Sequence, residues 1–154
     1  MPAWRPTKPE DVPDIIALVG EIYAEYDCVL DAEHEDTHFL APGPYCRERG
    51  GDFWVVESGG RIVATVGLVM HEDAGELKCL YVHASIRRRG WGRRLSKMVI
   101  EFARQAGKKK MILWSDTRFK PAHRLYESLG FTRFGAHDLH DSNNTIEYGF
   151  ETPL

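Results

Sequence analysis

Cysteine is scarce in this chain, and the three that occur, Cys28, Cys46 and Cys79, stand singly with no Cys-x-x-Cys pair among them. That spacing supports neither a disulfide framework nor a structural zinc site, so they read as free thiols. Long apolar runs are missing too. The longest, Ile62 to Met70, falls far short of the roughly 20 residues that a helix needs to cross a bilayer. The opening Met1-Pro2-Ala3-Trp4-Arg5-Pro6 has no apolar signal-peptide core, so the expectation is a cytoplasmic protein with no membrane partner. Nor does one sign of charge dominate: 20 Lys and Arg against 23 Asp and Glu leave −3, which argues against general nucleic-acid binding. Without repeats or low-complexity segments, 154 residues at 43% hydrophobic and 28% charged imply one globular domain over 1–154.

What is present is periodicity. Thr7-Lys8-Pro9-Glu10 has the form of a capping box with proline in the first turn. Val12, Ile15, Ile16, Val19 and Tyr23 then recur at helical spacing, predicting a first helix to about Tyr26. From Asp27 to Asp52 acidic residues, Pro42-Gly43-Pro44 and Gly50-Gly51 break the pattern, which predicts loop with a short second helix. Phe53 to Glu57 and Arg61 to Met70 flank Ser58-Gly59-Gly60 as a hairpin, and Glu76 to Val82 adds a third antiparallel strand. Leu95, Met98, Val99, Phe102, Ala103 and Ala106 mark one face of a helix from about Gly92, stopped by Gly107. A strand at Met111 to Trp114, a helix from Pro121 to Gly130, and strands near Phe131 to Phe134 and Thr145 to Phe150 complete an α+β order.

Positive charge is concentrated where the third strand meets its helix, at Arg87-Arg88-Arg89-Gly90-Trp91-Gly92-Arg93-Arg94. Glycines there let main chain approach a ligand closely, and the following helix aims free N–H groups and its positive dipole end at that ligand, so the turn suits phosphate. A Gly-x-Gly by itself is equally often a tight turn with solvated arginines. A dinucleotide fingerprint is excluded, because Leu95 stands where a third glycine is required and antiparallel strands precede the turn.

The strand Leu77-Lys78-Cys79-Leu80-Tyr81-Val82, the Arg-x-x-Gly-x-Gly turn, and the late Ala122-His123-Arg124-Leu125-Tyr126-Glu127-Ser128-Leu129-Gly130-Phe131 come in an order that closely resembles the GCN5-related N-acetyltransferase (GNAT) family. The resemblance is specific from about Glu76 to Phe131. It implies a three-layer α+β fold: a mixed, mostly antiparallel sheet of six to seven strands, flanked by about four helices. Its central parallel pair, Glu76 to Val82 and Met111 to Trp114, would splay apart. It further implies acetyl-CoA as co-substrate, an amine acceptor, and a monomer or homodimer.

By the same resemblance Leu80 and Val82 pair with the pantetheine arm, and an N–H near Leu80 or Tyr81 steadies the oxyanion. Arg87, Arg88, Arg89, Gly90, Trp91, Gly92 and Arg93 hold the pyrophosphate. Tyr126 corresponds to the tyrosine that protonates the leaving thiolate, although its spacing alone also fits a core residue. Glu76 corresponds to the glutamate that takes the amine proton, with Asp116, His71 and Glu72 as lesser candidates and a solvated strand-end charge as the bland reading. One departure stands out: where the family often has asparagine seven residues before the tyrosine, this chain has Phe119, with Ser115 or Arg118 as substitutes. A metal site at His137, Asp138, His140 and Asp141, read as a polar loop, is disfavoured. The acidic segment Asp27 to Asp36 is either solvated surface or the border of an acceptor pocket favouring cationic amines. The competing functional reading is a catalytically silent acyl-CoA sensor.

Overall fold

These periods become a single seven-stranded sheet in the computed structural model, which describes residues 2–154. In chain order the elements are β1 (Ala3–Pro6), α1 (Val12–Ala24), α2 (Pro42–Arg47), β2 (Asp52–Ser58), β3 (Arg61–Met70), β4 (Ala74–Val82), α3 (Trp91–Gln105), β5 (Lys110–Asp116), α4 (Lys120–Ser128), β6 (Thr132–Asp138) and β7 (Ile146–Pro153). The strands lie in the order β1-β2-β3-β4-β5-β7-β6, and every neighbouring pair is antiparallel except β4 and β5.

Alternation along β2 assigns the two cores. Trp54 and Val56 pack with Trp91, Leu95 and Val99 of α3, whereas Phe53 and Val55 pack with Ile15, Val19 and Ile22 of α1. Strand β3 is covered on both faces, which is why Ile62 to Met70 is nearly all apolar.

Two features of β4 shape the centre. Thr65 opposes Tyr81 and Gly67 opposes Lys78, so Cys79 and Leu80 together face Val66 in a bulge. Cys79 takes a positive φ of 54°, and the Thr65 hydroxyl donates to its carbonyl at 2.7 Å. The parallel pairing to β5 runs only from Ala74/Lys110 to Leu77/Leu113, and beyond those residues the strands part.

Three sequence expectations need correction. Strand β1 was not anticipated: four residues ending in proline carry almost no strand signal, and such a strand is tolerated because it pairs on one side only, with β2. The first helix begins at Val12, after a 3-10 turn at Pro9–Asp11, and ends at Ala24 rather than Tyr26. Its start is organised by Asp11 instead of Glu10, since the Asp11 carboxylate accepts from the Lys8 N–H at 2.8 Å and the Thr7 hydroxyl at 3.2 Å.

Arg5 of β1 grips both oxygens of Asp11, at 2.8 and 2.9 Å, and reaches Glu57 of β2 at 2.7 Å. The hydrogen bonds from Arg5 hold the Asp11 carboxyl at about 2, below its ordinary 3.8. A carboxyl with a depressed folded pKa contributes stability above its unfolded value and loses it as pH falls through the folded one. Thermal melts are therefore expected to show stability dropping between about pH 4 and 2, and Asp11→Asn should flatten that part of the curve. An unchanged acid limb in the variant would remove Asp11 from the account.

Candidate active site

Where β4 and β5 part, a cavity of about 380 Å³ opens between them. Glu76, Leu80, Tyr81, Ser115, Asp116, Phe119 and Tyr126 all border it. Val82, His71, Glu72 and the arginine turn do not. The site is thus built from the bulged end of β4, the free end of β5 and the inner face of α4.

At the far end of β4 the turn has the conformation that its glycines imply. Gly90 has φ 82° and caps α3, and Arg88 is also left-handed at 62°. From Arg88 to Arg93 the main-chain N–H groups find no acceptor among the described residues, leaving a row of donors at the helix start. The side chains are used differently from the charge-cluster reading. Arg87 donates to both carboxylate oxygens of Glu25 in the loop after α1, at 2.6 and 2.7 Å, and to the Val82 carbonyl at 2.9 Å. It therefore fastens the turn to the body of the protein. Trp91 is buried with Arg94 over its ring, and Arg93 reaches Ser128 of α4 at 2.6 Å, so only Arg88 and Arg89 remain as exposed cations without a side-chain partner among the described residues.

Tyr126 lies on the buried side of α4, 4% exposed, its ring against Phe131 and Phe150. Its hydroxyl makes no hydrogen bond among the described residues, yet it is not a sealed polar atom; it opens onto the cavity. Burial pushes the phenol above its ordinary value, so the proton stays on oxygen. Glu76 faces the cavity from β4. Its Oε1 meets His71 Nε2 at 2.8 Å and its Oε2 meets Lys78 Nζ at 3.4 Å. Burial opposes the Lys78 charge most strongly, but Glu76, together with Cys79 and Tyr45, holds the ammonium above its ordinary range.

Phe119 packs edge-on to Tyr81 and tilted against Tyr26, an apolar wall where an amide was expected. Of the two proposed substitutes, Ser115 lines the cavity and is held by the buried His123, whose Nε2 lies 3.2 Å from the serine oxygen and 2.9 Å from the Asp116 carbonyl. Burial lowers the His123 pKa, and its ring N–H donates to that carbonyl. Arg118 instead bonds Cys28 and the carbonyls of Asn143 and Asn144, tying three loops together.

The wide end of the cavity is acidic. Glu35 and Asp36 from the first long loop, Asp116 from β5, Asp141 from the β6–β7 turn and Glu147 from β7 join Glu76 there, against one lysine, Lys78. Burial first, and then Glu35, Asp141 and Asp31, raise the Asp36 pKa. Burial and Lys78 hold the His38 imidazole at about 4, hence uncharged near neutrality. The two acidic loops are clasped: Asn143 exchanges a pair of hydrogen bonds with the Val29 backbone, at 3.0 and 2.8 Å, and Ser142 bonds Glu35.

His137 and Asp138 end β6 rather than sitting in a loop. His137 stacks on Trp114 at 3.9 Å and bonds Glu147 at 2.8 Å, while His140 leans towards Asp138, so the two imidazoles serve separate carboxylates. Sequence reading missed Lys78, Glu147 and His123. The first carried a faint signal, alternation two residues from Glu76 on the same strand; the other two carried none.

The comparisons agree with this geometry. A family model described as the acetyltransferase (GNAT) family matches residues 18–131. The chain is 36% identical to rat N-acetyltransferase 8, over 80% of this chain and 57% of that protein. It is 33% identical to zebrafish N-acetylaspartate synthetase, over 74% of this chain and 40% of that protein. It is also 30% identical to the E. coli (strain K12) uncharacterized N-acetyltransferase YjgM, over 84% and 81%. The chain thus spans about half the length of the two animal relatives. Its fold superposes on a GNAT-family acetyltransferase from Staphylococcus aureus Mu50 with a TM-score of 0.86 at 17% identity, covering 100% and 99% of the two chains. On yncA of Salmonella typhimurium, solved with its cofactor acetyl-CoA, the TM-score is 0.73 at 18% identity, covering 100% and 94%. With the parted parallel pair, the donor-lined turn and the matching sequence model together, the chain belongs to the GNAT family of acetyl-CoA-dependent N-acetyltransferases.

Proposed function

We propose that this chain moves the acetyl group of acetyl-CoA directly to a primary amine of a small, cationic acceptor. The observation that carries the reading is the cavity itself. It is bordered by a tyrosine whose hydroxyl has no partner among the described residues and by a glutamate carboxylate, and outside it, past the end of β4, the turn offers a row of amides with no acceptor among the described residues. In this reading the row from Arg88 to Arg93 holds the pyrophosphate, and the bulge near Leu80 and Tyr81 supplies the donor for the carbonyl oxygen as it gains charge. Glu76 takes a proton from the ammonium, the neutral nitrogen attacks the thioester carbon, the C–S bond breaks, and Tyr126 gives its proton to sulfur.

The acceptor class follows from charge. Relatives named N-acetylaspartate synthetase point to a dicarboxylate acceptor for those proteins, but here six carboxylates border the cavity and the one lysine is already paired with Glu76. Such a wall repels aspartate and attracts amines bearing further positive charge. Initial rates over amino acids including aspartate, polyamines, aminoglycosides and short peptides are expected to favour the cationic amines, with the preference eroding as salt rises. Glu76→Gln should lower kcat/KM by roughly 10²-fold with acetyl-CoA affinity nearly unchanged. Aspartate as the best acceptor would overturn the charge assignment, and no turnover across the panel would favour the silent sensor.

A further inference from the structure

We infer that His71 is the proton outlet of the active site, a relay residue that carries to solvent the proton Glu76 collects. The inference rests on the reading of Glu76 as the base and extends it to a residue outside the cavity. Acetylating an ammonium releases one net proton per turnover. Of its three N–H protons, one stays on the amide, one replaces the proton that Tyr126 gives to sulfur, and one must leave. A carboxylate is too weak a base to keep it, so turnover needs a route outward.

Glu76 straddles that route. Its side chain is 13% exposed and borders the cavity, whereas the His71 side chain is 48% exposed and stands on the solvent side. The two Glu76 oxygens are divided between them: Oε2 lies towards Lys78 in the cavity, and Oε1 lies 2.8 Å from His71 Nε2. With the ring in its Nδ1–H form, a proton received by the carboxylate passes from Oε1 to Nε2 and Nδ1–H gives one up to water; this leaves the Nε2–H form, and proton exchange of the exposed ring with water returns it to the Nδ1–H form before the next turnover. His71 is held for this by its own backbone, whose N–H donates to the Ala74 carbonyl at 2.8 Å across the turn between β3 and β4. The charged groups around it are Glu76 and Lys78 on β4, Glu72 and Asp73 on its own turn, and Lys108 and Lys109 after α3, which reach the Glu72 carbonyl and Asp73. Imidazole is the one side-chain type here suited to shuttling protons near neutral pH.

The test compares His71→Gln, His137→Gln and Glu76→Gln on the best acceptor of the panel, with and without free imidazole. Glutamine still donates to Glu76 but relays nothing. His71→Gln should lower kcat by about tenfold or more with KM values unchanged, and added imidazole should restore the rate saturably through the exposed gap. His137→Gln, which alters the other histidine bonded to a cavity carboxylate, should show no such rescue. A wild-type kcat in His71→Gln, a loss that imidazole does not restore, or rescue of His137→Gln instead would overturn the outlet. If Glu76→Gln is slow while His71→Gln is not, the base reading stands without the outlet. A fully active Glu76→Gln removes both.

Discussion

Tyr126→Phe should lower kcat by roughly 10²-fold or more while acetyl-CoA binds nearly as tightly as before. The substitution is clean because the hydroxyl bonds nothing among the described residues, and the ring contacts with Phe131 and Phe150, each at 5.9 Å between centroids, are kept by phenylalanine. Thermal stability should therefore stay within about 1 kcal/mol of wild type. The raised pKa of the phenol does not disqualify it as an acid. A thiolate leaving beside the buried Tyr126 hydroxyl is destabilised by the same loss of water contact, so its proton affinity rises with that of the phenol. What burial adds is retention: the proton remains on Tyr126 until sulfur departs. Measured under conditions where chemistry limits the rate, a wild-type kcat in the variant would make Tyr126 a core residue only.

Gly90→Val is expected to weaken acetyl-CoA binding by about 10- to 100-fold while the protein remains folded. Among the described residues, apart from its own chain neighbours, no atom lies within 4 Å of the position a Cβ would occupy at Gly90, so crowding is not the cause. The cost is conformational, since a β-branched residue held at φ 82° is strained by about 1–3 kcal/mol. The turn can relieve that strain only by rotating the amides that should face the phosphates. Each 1.4 kcal/mol lost from the bound geometry is about tenfold in affinity. Arg88→Ala, which removes an exposed charge and leaves the backbone alone, should cost only a few-fold and less at higher salt. Calorimetric titration with acetyl-CoA distinguishes the two, and unchanged affinity in Gly90→Val would refute the main-chain cradle.

Much of this was legible because local rules govern it. The alternation of β2 and β3, the apolar stripe of α3 and the stop at Gly107 depend on neighbours a few residues away. The turn at Gly90 declared its shape through residue type. What stayed hidden depends on partners far along the chain. The pairing of Arg87 with Glu25 was invisible because the two lie 62 residues apart in sequence. Glu147 had no link to the site until the strand order put β7 beside β5, whereas Asp36 belonged to the acidic segment read as either solvated surface or pocket border, and the fold sets it at the cavity. Strand β1 was missed for a different reason: Ala3-Trp4-Arg5-Pro6 has no pattern of its own and is defined by its register against Val55 and Val56.

The short parallel pairing between β4 and β5 has a mechanical meaning. Four residue pairs, from Ala74/Lys110 to Leu77/Leu113, fix the angle at which the two strands diverge. The sheet behaves as a pair of callipers, with the joint at those residues and the jaws at Tyr81 and Asp116. Met111 and Ala103 are buried beside that joint, next to Gly75, and neither borders the cavity. The opening between the jaws thus starts from a joint packed in part by side chains that lie outside the cavity.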